Sequence, residues 1–414
     1  MSNLTRRNFL KLSAALPLLG VMPRLAFAPQ NSAPRGDVFV YIFLRGAADA
    51  LNMAVPHGED EYYRVRPTLG ISRPDDLSAP ADARTVDLDG FFGLHPALSP
   101  LLPIWQEKQL AIIHAAGAAT DFDHSHFKAQ ELIERGLDTP QGPASGWLGR
   151  HLASLNTGNH SPLRGVSVSE RVAPSLRGSV PVTALRSIAD FHLGGNTRAI
   201  PHMQTALAAL YRYGDPLDAA AREALDTMQA VGALEPERYR PAFGAEYPDD
   251  DFGRGLRQVA MLVKAEVGLE VACLDVGDWD THIAQGGSSG WMASQMASLA
   301  GGLLAFYTDL ARRRQSLTVA VMSEFGRRVK ENGGAGTDHG HGGVMFLLGW
   351  HIAGGQVHGR WPGLHPELLA GPGDLAVTTD YRDVLAEIVV RRLNNPQVDA
   401  VFPGHQPAFI GVTV

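Results

Sequence analysis

Residues 37–46 read DVFVYIFLRG, seven apolar residues in unbroken succession ahead of an arginine and a glycine. A strand with one face in water alternates apolar and polar residues. A run without alternation must be covered on both faces, as inside a parallel sheet. Four further runs share the character: LAIIHAAG (110–117), LEVACLDVG (269–277), SLTVAVMS (316–323) and VMFLLGW (344–350). Helical patterns lie between them. HSHFKAQELIERG closes on a glycine, DFGRGLRQVAMLVKAEVG starts around 252, and MASQMASLAGGLLAFYTDLARRR fills 292–314. The alternation predicts an α/β fold, a mostly parallel sheet with helices on both faces. TTDYRDVLAEIVVRRL (378–393) has a Thr/Asp start and helical spacing, and reads as a closing helix.

Residues 137–251 differ. They hold polar segments punctuated by Pro and Gly, one long Ala/Leu-rich helical stretch at 201–230, and the acidic, aromatic EPERYRPAFGAEYPDDD (235–251). We read 137–251 as an insertion or cap region, on a core made of 37–136 and 252–414.

The amino terminus carries an address. TRRNFLK (5–11) precedes an apolar stretch at 12–22, and Ala26-Phe27-Ala28 has the small-x-small form of a cleavage site. This is the pattern of a twin-arginine export signal over 1–28, followed by a polar linker at 29–36. The apolar stretch is far below the ~20 residues of a membrane span. Pro29 directly follows the expected cut and tends to hinder cleavage there. Removing 1–28 leaves 386 of 414 residues and takes away Arg6, Arg7, Lys11 and Arg24 but no acid, so the net charge moves from −7 to −11. An acidic mature chain disfavours nucleic-acid or anionic-membrane binding. Cys273, the one cysteine, lies in an apolar run and reads as a core residue. The expected location is periplasmic or extracellular, with the twin-arginine translocase as a transient partner.

In open α/β sheets ligands bind beyond the carboxyl ends of the strands. There the sequence collects chemistry. The first strand leads to Arg45 and Asp49, the second to Asp121, Asp123, His124, Ser125 and His126, the third to Asp278, Asp280 and His282, and the fourth to Glu324, with Asp338, His339 and His341 following in GTDHGHGG. Asp278 and His282 are spaced i, i+4, and Asp280 and His282 i, i+2. Either pair could grip a cation, or the carboxylates could cap the next turn. His339 and His341 could reach one ion from a glycine-loosened loop, or belong to a hairpin-like turn. Ser125 is either a nucleophile at a helix start or its N-cap. His124 and His126, beside the same helix start, read as packed or solvated. Arg45 could clamp a phosphate or sulfate, or neutralise Asp49 or Glu324. At least one of Arg327 and Arg328 is expected to face solvent.

In order, FLRGAADALN, YYRVRPTLGI, FGLHPAL, SHFKAQ, GWLGR, DWDTH, VMSEFGRR, TDHGHGG, WPGL and TTDYRDVLAEI resemble the twin-arginine-exported bacterial family called domain of unknown function 1501, over nearly the whole mature chain. That resemblance implies an alkaline-phosphatase-like (sulfatase-like) fold, with a metal centre at the sheet's carboxyl edge. By the same resemblance Ser125 falls where a nucleophile would, Asp278 or Asp280 with His282 forms one metal pair, and His339 or His341 is a late ligand. VMSEFG departs from that superfamily's Ser-Asp-His-Gly strand end, since Glu324 stands for the aspartate and Phe325 for a histidine ligand. One metal, a rearranged pair or no metal stay open.

The function expected is hydrolysis of a phosphate or sulfate ester by an exported metal-dependent enzyme. Asp278, Asp280, His282, Asp338, His339 and His341 would hold a divalent zinc, manganese, iron or calcium ion. Glu324 would be a ligand or base, Ser125 or water the nucleophile, and Arg45 the clamp on an anionic small-molecule or glycan ester. The alternative is a non-catalytic binding or assembly protein that kept the fold and lost half the site, with Phe325 as its motive.

Overall fold

The computed structural model describes residues 37–119, 124–189, 191, 200–211, 216–232, 234 and 236–414. The export signal (1–28), the linker (29–36), Asp121 and Asp123 lie outside the described residues. Two compact units separate, one of 34–186 with 240–414 and another that includes 187–239.

The first unit is built on one large sheet. Its strands are β1 (Val38–Leu44), β5 (Leu110–Gly117), β6 (Gly165–Ser167), β7 (Thr183–Ala184), β8 (Val271–Val276), β9 (Leu317–Ser323), β10 (Gly343–Gly349), β11 (Gln356–His358) and β12 (Thr379–Asp380). The spatial order is β11-β5-β10-β9-β1-β8-β6-β7, with β12 also on β5. The short β2 (Ala54–Val55), β3 (Val86–Asp87) and β4 (Gly93–Leu94) form a separate antiparallel sheet. The five apolar runs are the five adjacent central strands, and β1 is buried at every position, as unbroken apolarity requires.

Both faces are covered. Phe39, Tyr41 and Phe43 share one core with the helices His126–Arg135, Trp147–Ser154 and Tyr381–Arg391. There the fully buried Trp147 ring meets Tyr41 edge-on at 5.5 Å and stacks on Phe402 at 5.4 Å. On the opposite face, Leu303, Phe306 and Tyr307 of the helix Trp291–Asp309 lie across a small cavity from Leu317, Val319 and Leu348. Helix Asp251–Lys264 begins where expected, its Asp250 side chain accepting from the Gly253 N–H at 2.7 Å. The stop after His126–Arg135 is Gly136 at φ 63°, whose N–H closes onto Leu132 and Ile133 carbonyls.

Two features differ from expectation. The run 344–350 is not parallel to its neighbours: β10 is antiparallel to both β9 and β5, whereas every other pairing in the sheet is parallel. A parallel return needs a crossover, usually a helix, and residues 324–342 contain none, so the chain turns back at the same edge. The stretch 201–230 is two helices, Ile200–Leu210 and Pro216–Gly232, both in the second unit. Of 137–251, residues 165–167 and 183–184 supply β6 and β7 to the large sheet.

Among the described residues no helix is long and apolar enough to cross a membrane.

Candidate metal centre

The reversal of β10 places GTDHGHGG at the carboxyl ends of β9, β1 and β8. Residues after β9 pair with it as an antiparallel extension: the Gly326 N–H donates to His341 O, Gly340 N–H to Gly326 O, and Arg328 N–H to Asp338 O, each at 2.9 Å. The glycines serve proximity here, not left-handed backbone angles. A Cβ on Gly340 would lie 2.4 Å from the Arg327 carbonyl carbon, and one on Gly336 would lie 2.4 Å from that of His282. No side chain fits between such strands.

His126, Asp280 and His339 converge at this edge, with one ligand-type atom from each lying within 4.8 Å of the others. Their surroundings set the orientation of each ring. His126 Nδ1 donates to Glu324 Oε1 at 2.7 Å, while its buried Nε2 has no hydrogen-bond partner and lies 3.6 Å from Asp280 Oδ2. His339 Nδ1 donates to the His124 carbonyl at 2.9 Å, so its Nε2 carries the lone pair. That atom is 3.2 Å from Asp280 Oδ1 and 2.9 Å from His282 Nε2. His282 turns its Nδ1 to Asp338 Oδ1, at 3.4 Å. His126 and His339 therefore each have an acceptor behind Nδ1 and aim Nε2 at one region, the arrangement in which imidazoles bind metals, while His282 Nε2 lies 3.1 Å from Asp280 Oδ1 beside them.

Phe325 is not a gap in this set. It is buried, packs nearly parallel to His126 at 5.0 Å, and lies 5.2 Å from the His339 ring. It fixes ring planes where we expected a missing ligand.

Arg327 is the organiser of the edge, and its sequence position alone did not reveal this. The side chain is fully buried and donates to the carbonyls of Ala47, Thr337, Gly46 and Trp279, and to Asp280 Oδ1 at 2.6 Å. One planar fork thus ties three strand-end loops together and points Asp280 at the histidines. Arg328 is the partly exposed one of the pair. A second buried layer lies behind. Asp49 accepts from Arg66 Nη1 at 2.5 Å and Gln285 Nε2 at 2.7 Å, and the Gln285 oxygen accepts from Thr281 and Thr337. Asp49 is therefore committed to Arg66, and the DWDTH and GTDHGHGG loops are fastened through Gln285.

Electrostatics follow from these contacts. Burial would raise the Glu324 pKa, but hydrogen bonds from His126, Gln130 and Ser323 win and hold it at about 2. Asp280 also resists burial, and the Arg327 contact keeps its pKa below the usual value. Burial lowers the His339 pKa, and the charges of His126 and Arg327 add to this. Asp280, Glu324 and Asp338 gather at this edge and of the three only Asp280 pairs with the buried Arg327, so the region suits a cation.

Other expected residues lie elsewhere. His341 Nε2 donates to the Ala118 carbonyl at 2.8 Å, which makes it a clamp on the loop after β5. Asp278 sits at φ 68° in a turn with an exposed side chain, and its carbonyl accepts from Trp291. Asp338 supports His282 and accepts from Asn332 at 2.9 Å. Arg45 neutralises neither Asp49 nor Glu324. It pairs with Glu134 at 2.9 Å and Asp275 at 2.8 Å, leaving little reach for an anion. Ser125 is the N-cap residue of the helix His126–Arg135, yet its side chain makes no capping hydrogen bond. Glu324 is not aimed at the open side of the group; it backs His126.

His126 is the residue that sequence reasoning passed over. Its signal was the i, i+4, i+8 stripe His126-Gln130-Glu134, polar on a helix that otherwise buries Ala129, Leu132 and Ile133.

The fold and this edge define a class: a mostly parallel α/β protein with a histidine–carboxylate cluster beyond the carboxyl ends of its central strands. The chain belongs to the family described as "Protein of unknown function (DUF1501)", whose model matches residues 37–388. Nothing among curated proteins matches it. Among solved structures, it is similar to the alkaline phosphatase from the Antarctic bacterium TAB5, at 10% identity over 76% of this chain and 92% of that one, with a TM-score of 0.27.

Proposed function

We propose that His126, His282, His339 and Asp280 hold one divalent cation, and that the protein is an exported hydrolase of phosphate or sulfate esters. One observation carries the cation. His126 and His339, each with Nδ1 turned to an acceptor, bring Nε2 to Asp280 so that one ligand atom of each residue lies within 4.8 Å of the others, and the buried Nε2 of His126 has no hydrogen-bond partner. Three imidazoles and a carboxylate suit zinc best among divalent ions.

Such an ion, when bound, polarises an ester oxygen and stabilises developing negative charge. The chain supplies the remaining parts. Arg327 fixes Asp280, Glu324 fixes His126, and the Ser125 hydroxyl lies at a helix start whose dipole favours an anion. Ser125 would attack directly, or water would in its place. Residues 1–28 would direct the chain through the twin-arginine route to the periplasm or beyond. The binding-protein alternative loses its motive, because Phe325 packs against the histidines.

Elemental analysis of protein purified from the periplasm tests the cation, and a panel of aryl phosphate and aryl sulfate esters tests the reaction. Near-stoichiometric zinc and its loss in His126→Ala and His339→Ala are expected. A metal-free wild type, with stability unchanged in His282→Ala and His339→Ala, would sink the proposal.

A further inference from the structure

His126, Gln130 and Glu134 lie on one stripe of their helix, at successive turns. Arg45, just beyond β1, meets the far part of that stripe. Its Nη1 donates to Glu134 Oε2 at 3.0 Å and to Gln130 Oε1 at 3.1 Å, and its Nη2 donates to Glu134 Oε1 at 2.9 Å and Asp275 Oδ1 at 2.8 Å. A guanidinium only donates, so the amide atom facing Arg45 must be the oxygen of Gln130. The other end is then the NH2 group. It lies 2.7 Å from Glu324 Oε1, an ionised carboxylate oxygen that only accepts. Neighbours of opposite character thus assign both ends of the amide, and a flipped amide would be wrong at each.

The chain of donors continues. Glu324 Oε1 also accepts from the Gly46 N–H at 2.9 Å and from His126 Nδ1 at 2.7 Å. From Arg45 through Gln130 and Glu324 to His126, every link has one permitted direction. In the neutral ring the last link puts the lone pair of His126 on Nε2, the atom 3.6 Å from Asp280 Oδ2.

We propose that Gln130 is a positioning residue: it anchors Glu324 from Arg45 and thereby holds His126 in the Nδ1–H tautomer with Nε2 free for a cation. The tautomer stands on the hydrogen bonds alone; only the consequence for affinity rests on the cation reading above. Arg45, which as a strand-end arginine invites assignment as an anion clamp, is the fixed end of this chain.

The test compares wild type with Gln130→Met, which keeps the side-chain length but neither hydrogen bond, and with Gln130→Glu, which keeps the acceptor for Arg45 and loses the donor to Glu324. Long-range 1H–15N NMR of the metal-free protein reads the His126 tautomer, and zinc affinity is read by competition with a chelator. In the wild type we expect His126 in the Nδ1–H form. Both variants should show a tautomer mixture and bind zinc about 10-fold or more weakly, the scale of a lost partner behind a metal-binding histidine. Gln130→Met added to Glu324→Gln should cost no more than Glu324→Gln alone, since the relay acts through Glu324. A Gln130→Met protein that melts earlier but keeps the wild-type tautomer and zinc affinity would show a space-filling role and overturn the proposal. If wild type binds no zinc, the cation reading fails, while the tautomer comparison still decides the role of Gln130.

Discussion

Arg327→Met gives the sharpest test of how the site is assembled. The guanidinium is fully buried and its bonds end on four backbone carbonyls and Asp280. Methionine fills much of the volume and supplies no donor. Breaking a buried charge pair costs roughly 3–5 kcal/mol, because the remaining partner is left uncompensated. Asp280 is about half exposed, so water will screen part of that loss. The carbonyls of Ala47 and Thr337 are the larger cost, at ~1–3 kcal/mol for each acceptor left unpaired in the interior. Taken together, a loss of about 3–5 kcal/mol is expected, a large fraction of the 5–15 kcal/mol typical of a folded domain. Urea unfolding of the metal-free protein, followed by tryptophan fluorescence, measures it. Arg327→Lys should recover only part, since an ammonium has three donors where the fork has five. A change under ~1 kcal/mol in Arg327→Met, with unchanged zinc affinity, would refute the view that one side chain fastens these loops.

Two further outcomes are expected. Burial pushes the His151 pKa down to about 3, with the Arg164 charge adding to this, and Asn395 donates to its Nδ1 at 3.0 Å, so the folded chain holds it neutral. The unfolded chain takes up that proton first, near pH 6.5, so the stability contribution is complete above this pH and falls on acidification toward pH 3; in His151→Gln the slope of unfolding free energy between about pH 6 and pH 4 should be shallower by ~1.4 kcal/mol per pH unit, and an unchanged slope would reject the assignment. Gly340→Ala should cost about 1–3 kcal/mol in chemical denaturation and weaken zinc binding, because its Cβ would lie 2.4 Å from the Arg327 carbonyl carbon; a neutral effect on both would mean that the loop yields freely.

Much of the fold was legible in the chain. Unbroken apolar runs marked the five central strands, Gly136 marked a helix end, and Asp380 marked a helix start through its bond to the Arg382 N–H. These are local effects, since a buried strand needs apolar residues throughout and a helix end needs its cap whatever lies beyond. The gathering of histidines and carboxylates beyond the strands was legible for the same reason.

Which of them face one another was decided by tertiary structure. His126 and His341 are both histidines at the same sheet edge, yet one backs onto Glu324 and frees Nε2 while the other spends Nε2 on the Ala118 carbonyl. The acceptor that orients His126 lies 198 residues away in the chain, and no spacing rule reaches that far. Arg45 was equally opaque. Its partners Glu134 and Asp275 come from a helix and a neighbouring strand that only packing brings together. The direction of β10, set by a return that lacks a crossover helix, then carried His339 to the edge where Asp280 and His126 wait. Sequence determined which residues reach the edge. The long-range hydrogen bonds of the folded chain determined which nitrogen His126, His339 and His341 present there, because a ring has two and only its neighbours choose between them.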